Sequence, residues 1–124
     1  VLSIGAVLLG ASQAVGVDID ATAVRVAAEN AAMNRVEEKT RYLCGDLTDK
    51  VTGTYQVVCA NIVADVIIRL APQVGAFMDG NAVLLVSGII DSRQEEVAQA
   101  LEREGFSILE SAEEKGWCAM AVRR

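Results

Sequence analysis

The sequence predicts an α/β fold in which a mostly parallel sheet closes in an antiparallel hairpin. Three observations lead there. Apolar runs of strand character alternate with apolar stripes at helical spacing along all 124 residues. The apolar fraction is 52% and the aromatic fraction only 4%, a Val, Leu, Ile and Ala composition that suits a parallel sheet buried on both faces by helices. The last two strand-like runs are joined by Glu113-Glu114-Lys115-Gly116, too short for a crossover helix, so that pair must be antiparallel.

The elements follow in order. Leu2, Gly5, Ala6 and Leu9 share one face of a helix, and Gly10 supplies its stop. Reading 1–5 as a strand instead would leave only about eight residues before the next strand, short of the dozen or so that a parallel crossover needs. With the helix reading, the first strand of the sheet and a glycine-rich turn before this helix are expected to be missing, so that the chain is one domain over 1–124, truncated at its N-terminal side. Val15-Gly16-Val17 is a short strand ending in Asp18. A helix over 23–33 carries Val24, Ala27, Ala28 and Ala31 on one stripe, with Asp20 placed to cap it and Asn34 suited to a left-handed end. Residues 41–44 form a weak strand and 55–59 a stronger one.

A helix is expected over 62–78, broken near Pro72 because proline lacks a backbone donor. The run over 82–86 has the continuous apolar character of a central parallel strand, with Ser87-Gly88 at its end. Ser92-Arg93-Gln94-Glu95 has the form of a capping box, opening a helix with Val97 and Leu101 inward and Gly105 as its stop. The final strands lie over 106–111 and 117–122. Trp117 begins the last one and is expected to be a half-buried edge residue.

Composition excludes several classes of function. No apolar run approaches the roughly 20 residues needed to cross a bilayer; Asp65 and Arg69 interrupt the longest candidate, over 60–70. No basic n-region or small-residue cleavage site opens the chain, so a cytoplasmic protein without membrane contact is expected. Acidic residues outnumber basic ones, 17 to 11, for a net charge of −6, the wrong sign for a nucleic-acid binder. The pair Arg123-Arg124 is assigned to a solvated terminus. Histidine is absent, which removes a histidine triad, a His-containing zinc site and an imidazole base, and no metal is expected. Cys44, Cys59 and Cys118 lack C-x-x-C spacing and are expected to be reduced, buried thiols. The acidic clusters at 37–38, 95–96 and 113–114 are expected on solvated faces.

Three constellations could carry chemistry. Gly16-Val17-Asp18-Ile19-Asp20 ends a strand in a carboxylate, the arrangement that grips the ribose of a nucleotide-like ligand. Asp18 is the candidate ribose ligand, Ile19 a face for adenine, and Asp20 a helix cap; both aspartates as plain loop residues weigh about evenly on the local pattern. Gly45-Asp46-Leu47 follows the next strand, where Asp46 can accept from the exocyclic amine of adenine and Leu47 can pack on the ring, or the three residues make an ordinary turn. Cys59-Ala60-Asn61-Ile62 places Asn61 at a third strand end. Its side-chain carbonyl can accept from an amine and aim the nitrogen lone pair at an electrophile; taken alone, capping of the following helix is the stronger reading. Ligands of open α/β sheets bind outside the carboxyl ends of the strands, and three candidates at successive strand ends favour the functional assignment.

These stretches, together with 1–11, Ala28-Glu29-Asn30 through Asn34, Leu70-Ala71-Pro72, Ser87-Gly88-Ile89 and Gly116-Trp117-Cys118, resemble the class I methyltransferases, and more closely their PrmA group, which methylates protein eleven of the large ribosomal subunit. The similarity spans the whole chain. Ala60-Asn61-Ile62 with Ser87-Gly88-Ile89 is the more telling part, since most amine-directed relatives carry Asn-Pro-Pro-aromatic at the first place. The resemblance implies a Rossmann-like, seven-stranded class I methyltransferase sheet with its last strand antiparallel, S-adenosyl-L-methionine as cofactor, and transfer to amino groups of a ribosomal protein. By position, Asp18 and Asn61 correspond to cofactor-binding residues of that group and Asp46 matches the general class pattern; Ile19 and Leu47 remain candidate cofactor contacts on the strand-end reading above, and Asn61 is the candidate catalytic residue that orients the amine. The glycine loop and substrate-holding N-terminal domain of that group are lacking, which implies a monomeric longer parent and a fragment prone to self-association through its unpaired edge. Other class I methyltransferases and a non-catalytic fragment are the alternatives. A nicotinamide-dependent dehydrogenase is disfavoured by the terminal hairpin and by the lack of a His or Tyr-x-x-x-Lys hydride partner.

Overall fold

A computed structural model describes residues 1–124, which divide into two compact units, Val1–Val51 and Thr52–Arg124. In the first unit, α1 (Leu2–Leu8) and α2 (Ala21–Met33) accompany a parallel pair, β1 (Ala14–Asp18) and β2 (Thr40–Cys44). Ile4 and Val7 of α1 bury against Ala31 and Val36, with Ala14 and Tyr42 packed alongside. Gly16 lies under the Tyr42 ring; a Cβ there would stand 2.8 Å from the ring edge. The Tyr42 hydroxyl and Ser3 Oγ share a hydrogen bond of 2.8 Å, fixing α1 to the sheet.

The second unit is a four-stranded sheet in the order β3-β4-β6-β5, built from β3 (Tyr55–Asn61), β4 (Met78–Ile90), β5 (Ser107–Glu114) and β6 (Trp117–Arg123). β3 and β4 are parallel; β6 is antiparallel to both its neighbours. The chain thus has the α/β architecture expected, with a closing antiparallel hairpin. Two helices, α3 (Ala64–Val74) and α4 (Gln94–Arg103), contribute Ile67, Leu70, Val74, Val97 and Leu101 to a core completed by Leu84, Val86 and Ile89 of β4 and by Cys118, Met120 and Val122 of β6. Each large apolar side chain fully buried there contributes roughly 1.5–3 kcal/mol. The opposite face of this unit's sheet is open: Val57 and Leu85 remain 59% and 41% exposed. The expectation of helices on both faces therefore fails for this unit taken by itself.

Three helices end alike. Beyond α1, Gly10 and Ala11 donate to the carbonyls of Val7 and Ala6; beyond α2, Arg35 and Val36 donate to Ala32 and Ala31; beyond α4, Gly105 and Phe106 donate to Glu102 and Leu101. This is the Schellman pattern, which needs one left-handed residue. Gly10 and Gly105 supply it as predicted, but at α2 it is Arg35 (φ 58°), not Asn34, whose side chain instead donates to the Asn30 carbonyl. Asp20 caps α2 as expected, accepting from the Thr22 amide at 2.9 Å.

Several expectations are corrected. α3 runs through Pro72 and ends at Val74, followed by a 3-10 turn over Gly75–Phe77, so the break lies beyond the proline. β4 is 13 residues long, not the short run over 82–86, and Ser87 and Gly88 lie within it. The capping box does not form: Ser92 lies inside a 3-10 turn over Asp91–Arg93, so the N-cap position falls on Arg93 and α4 has no side-chain cap. Only Cys118 is buried; Cys44 and Cys59 are exposed, and all three are free thiols. Arg124 is more than a solvated end, since its guanidinium lies 5.4 Å from the centre of the Phe106 ring and donates to the Glu104 carbonyl. Lys115 and Gly116 turn the hairpin, both with positive φ as a type I′ turn requires.

Candidate functional site

Within the first unit, parallel pairing sets Asp18 opposite Cys44, so Asp18-Ile19 and Gly45-Asp46-Leu47 leave the same end of the β1–β2 pair. The Gly45 amide donates to the Asp18 carbonyl at 3.0 Å, stitching the two strand ends together. The Asp18 carboxylate is oriented by the chain itself. Its Oδ1 accepts from the Asp20 amide at 2.9 Å, while the residue stays exposed. A carboxylate offers about four lone-pair sites, so the arrangement fixes its direction and leaves acceptor capacity for a ligand's hydroxyls. Ile19 is 72% exposed, an apolar surface with no partner within its own unit's core. The turn after β2 is held by the Asp49 carboxylate, which accepts from the Asp46 amide at 3.1 Å. Leu47 adopts φ 54°, a left-handed conformation uncommon for a branched side chain. Such local strain is found where a loop is shaped for a ligand.

Asn61 belongs to the second unit, at the end of β3 and opposite Ser87 of β4. The N-cap of α3 is Val63, not Asn61. That removes the structural role that would otherwise explain an asparagine here: its side chain is exposed and is used by no hydrogen bond of the chain. Gly88 lies directly against its carboxamide oxygen. Two shallow grooves adjoin Gly88, one lined by Ser87, Glu113 and Trp117 among others and the second by Val63, Ile90 and Arg93. Trp117 lines both and is 58% exposed. The expectation of a half-buried edge residue is corrected twice, because β6 lies inside the sheet, between β4 and β5. Arg93 beside the second groove donates to Asp65 at 2.6 Å, and this hydrogen bond with the positive charge holds the Asp65 carboxyl below its usual range. Partial desolvation by its neighbours raises the thiol of Cys59, an exposed residue two positions before Asn61, so it is a weak nucleophile at neutral pH. The close approach at Gly88 was legible in the Ser87-Gly88 pair at an apolar strand end; that the neighbour it meets is Asn61 was not.

The sequence model of the ribosomal protein L11 methyltransferase (PrmA) family matches residues 1–124. The chain belongs to this family. Among curated relatives, the ribosomal protein L11 methyltransferase of Heliobacterium modesticaldum is 42% identical over the whole chain and 39% of its own length. That of Pelotomaculum thermopropionicum is 44% identical over 99% of the chain and 40% of its own length. The chain thus spans about two fifths of the curated relatives it matches. The crystal structure of the ribosomal protein L11 methylase from Lactobacillus delbrueckii subsp. bulgaricus superposes with a TM-score of 0.95 at 28% identity, over 99% of this chain and 63% of that one. An RNA methyltransferase from Salinibacter ruber, solved in complex with S-adenosyl-L-homocysteine, shares the fold at a TM-score of 0.74 and 18% identity, over 97% of this chain and 71% of that one. The Rossmann-like methyltransferase fold expected from the sequence is therefore the fold of this chain.

Proposed function

We propose that this chain is the cofactor-binding and catalytic part of a longer methyltransferase that transfers methyl groups from S-adenosyl-L-methionine to amino groups of a large-subunit ribosomal protein, in the cytoplasm. The family match over the full 124 residues carries the proposal. The two units would then be parts of one domain, and the share of the relatives that lies outside this chain would supply the rest of the enzyme.

Each candidate residue fits that reading on its own geometry. Asp18 presents an oriented carboxylate to the ribose hydroxyls. Ile19 offers exposed apolar surface to one face of adenine, and Asp46 with Leu47 serves the exocyclic amine and the ring. The cofactor, when bound, supplies an electrophilic methyl group. Asn61 would accept an N–H of the substrate amine and orient its lone pair. A lysine amine has an ordinary pKa near 10.4 and must arrive neutral; without a histidine in the chain, the exposed position of Asn61 leaves proton release to solvent. The net charge of −6 supports a cationic protein substrate over a nucleic acid.

Calorimetric titration with S-adenosyl-L-homocysteine, on this chain and on the full-length protein, tests cofactor binding. Binding by the full-length protein is the expected result, and its absence would overturn the proposal. The role of Asn61 is tested separately by Asn61→Ala in the full-length protein, with methyl transfer to the ribosomal protein followed by mass spectrometry; full activity would remove Asn61 from the mechanism.

A further inference from the structure

We propose that Gly88 is a positioning residue that sets the direction of the Asn61 carboxamide, an inference that rests on the amine-orienting role given to Asn61 above. β4 pairs with β3 up to Asn61 and Ser87, while its pairing with β6 slips between Val86 and Ile89. Ser87 and Gly88 are the residues in that irregularity, and bulges of this kind re-aim side chains beside functional sites. Gly88 takes φ +78°, a conformation that disfavours any side chain. A Cβ on Gly88 would lie 2.6 Å from Asn61 Oδ1, 3.4 Å from the Ile62 carbonyl oxygen and 3.6 Å from the Ile62 nitrogen. The volume that a side chain would fill is the volume the carboxamide oxygen occupies.

The two sides of that contact are unequal. The Ile62 backbone on one side belongs to the chain between β3 and α3 and can shift only by moving the main chain with it. The Asn61 side chain is exposed and bound to nothing else in the chain, so it yields by rotating. Beyond the strain of its positive φ, a methyl group at position 88 therefore displaces the carboxamide at little further cost to folding, and the remaining loss falls on orientation. A displacement of about 1 Å at a reacting centre lowers rate by up to about a hundredfold.

Gly105 supplies the matched control. It has φ +89°, and a Cβ there meets nothing within 4 Å. Gly88→Ala and Gly105→Ala carry the same kind of backbone strain, and only the first touches Asn61. In the full-length enzyme, Gly88→Ala should lower kcat for methyl transfer about 10- to 100-fold, with S-adenosyl-L-homocysteine affinity within about threefold of the parent, a change under 0.7 kcal/mol at 1.4 kcal/mol per decade. Gly105→Ala should lower the melting temperature comparably and leave kcat unchanged. The double variant Asn61→Ala/Gly88→Ala should be no slower than Asn61→Ala alone, because both remove the same interaction. Equal kcat in the two glycine variants, or multiplying losses in the double variant, would overturn the inference while leaving Asn61 in place. Full activity of Asn61→Ala would instead remove the reading on which it rests. Should Gly88→Ala fail to fold, Asn61→Gln carries the test. The longer side chain carries its carboxamide oxygen past the position beside Gly88, so activity should fall as in Asn61→Ala, and full activity would refute the positioning.

Discussion

Replacing Asp18 by Asn isolates the charge and acceptor character of the strand-end carboxylate from its shape. Oδ1 of Asp18 accepts from the Asp20 amide at 2.9 Å, and an asparagine can keep that bond through its own carbonyl oxygen. The amide NH2 then occupies the place of the second carboxylate oxygen, presenting donors where a ribose hydroxyl needs an acceptor. One hydrogen bond to a charged group contributes about 1.5–3 kcal/mol, and the ribose hydroxyl left facing the NH2 adds no compensating bond. Affinity for S-adenosyl-L-homocysteine in the full-length protein should therefore fall about 10- to 150-fold. Calorimetry measures it directly, and the melting temperature without ligand should stay within about 2 °C because Asp18 is exposed. Unchanged affinity in a folded Asp18→Asn protein would refute the assignment of the ribose to this residue. A fall in melting temperature with no specific loss of binding would return Asp18 to the role of a turn residue.

Three further outcomes can be checked on the chain as it stands. Arg35→Gly relieves a left-handed residue at the end of α2, a strain of about 1–2 kcal/mol, against about 0.4–1 kcal/mol of added unfolded-state entropy; denaturant unfolding should show a net gain of roughly 0.5–1 kcal/mol. Leu101→Ala empties a site that is 0% exposed and should cost about 2–5 kcal/mol, while Leu109→Ala, 53% exposed, should cost under about 0.5 kcal/mol; similar losses would show that the core is misassigned. A thiol reagent should titrate Cys44 readily and Cys59 more slowly in the folded protein, and Cys118 only after denaturation, burial and the nearby Glu113 and Asp91 keeping Cys118 protonated as well as covered.

What the sequence disclosed and what it withheld divide along physical lines. The core of α4 was legible because Val97 and Leu101 recur at helical spacing, and Gly105 because a glycine after such a stripe has few other uses. Asp20 was legible as a cap for a similar reason: short polar side chain, helix immediately after. The left-handed end of α2 was placed one residue early, since Asn34 is the better intrinsic candidate and only the tertiary burial of Val36 decides that Arg35 takes the strained position. The capping box failed because a 3-10 turn over Asp91–Arg93 takes up Ser92 and moves the helix start one residue along, to Gln94. β5 extends beyond Ser111 through Ala112, Glu113 and Glu114 because β6 pairs with them, not because the glutamates favour a strand. For the site, the strand-end carboxylate was visible in Gly16-Val17-Asp18, but that Asn61 does not cap α3 needed the structure, which places Val63 at the N-cap position.

The four-stranded sheet has two unlike margins. On its β5 side, Glu110, Glu113 and Glu114 line the outermost strand, and their mutual repulsion discourages another chain from laying a strand against it. On its β3 side, Tyr55 to Asn61 carries no charged residue at all, and within this unit the strand has β4 as its only neighbour. Growth of the sheet by strand addition is thus directional: like charge closes one margin to aggregation, and the other depends on being covered.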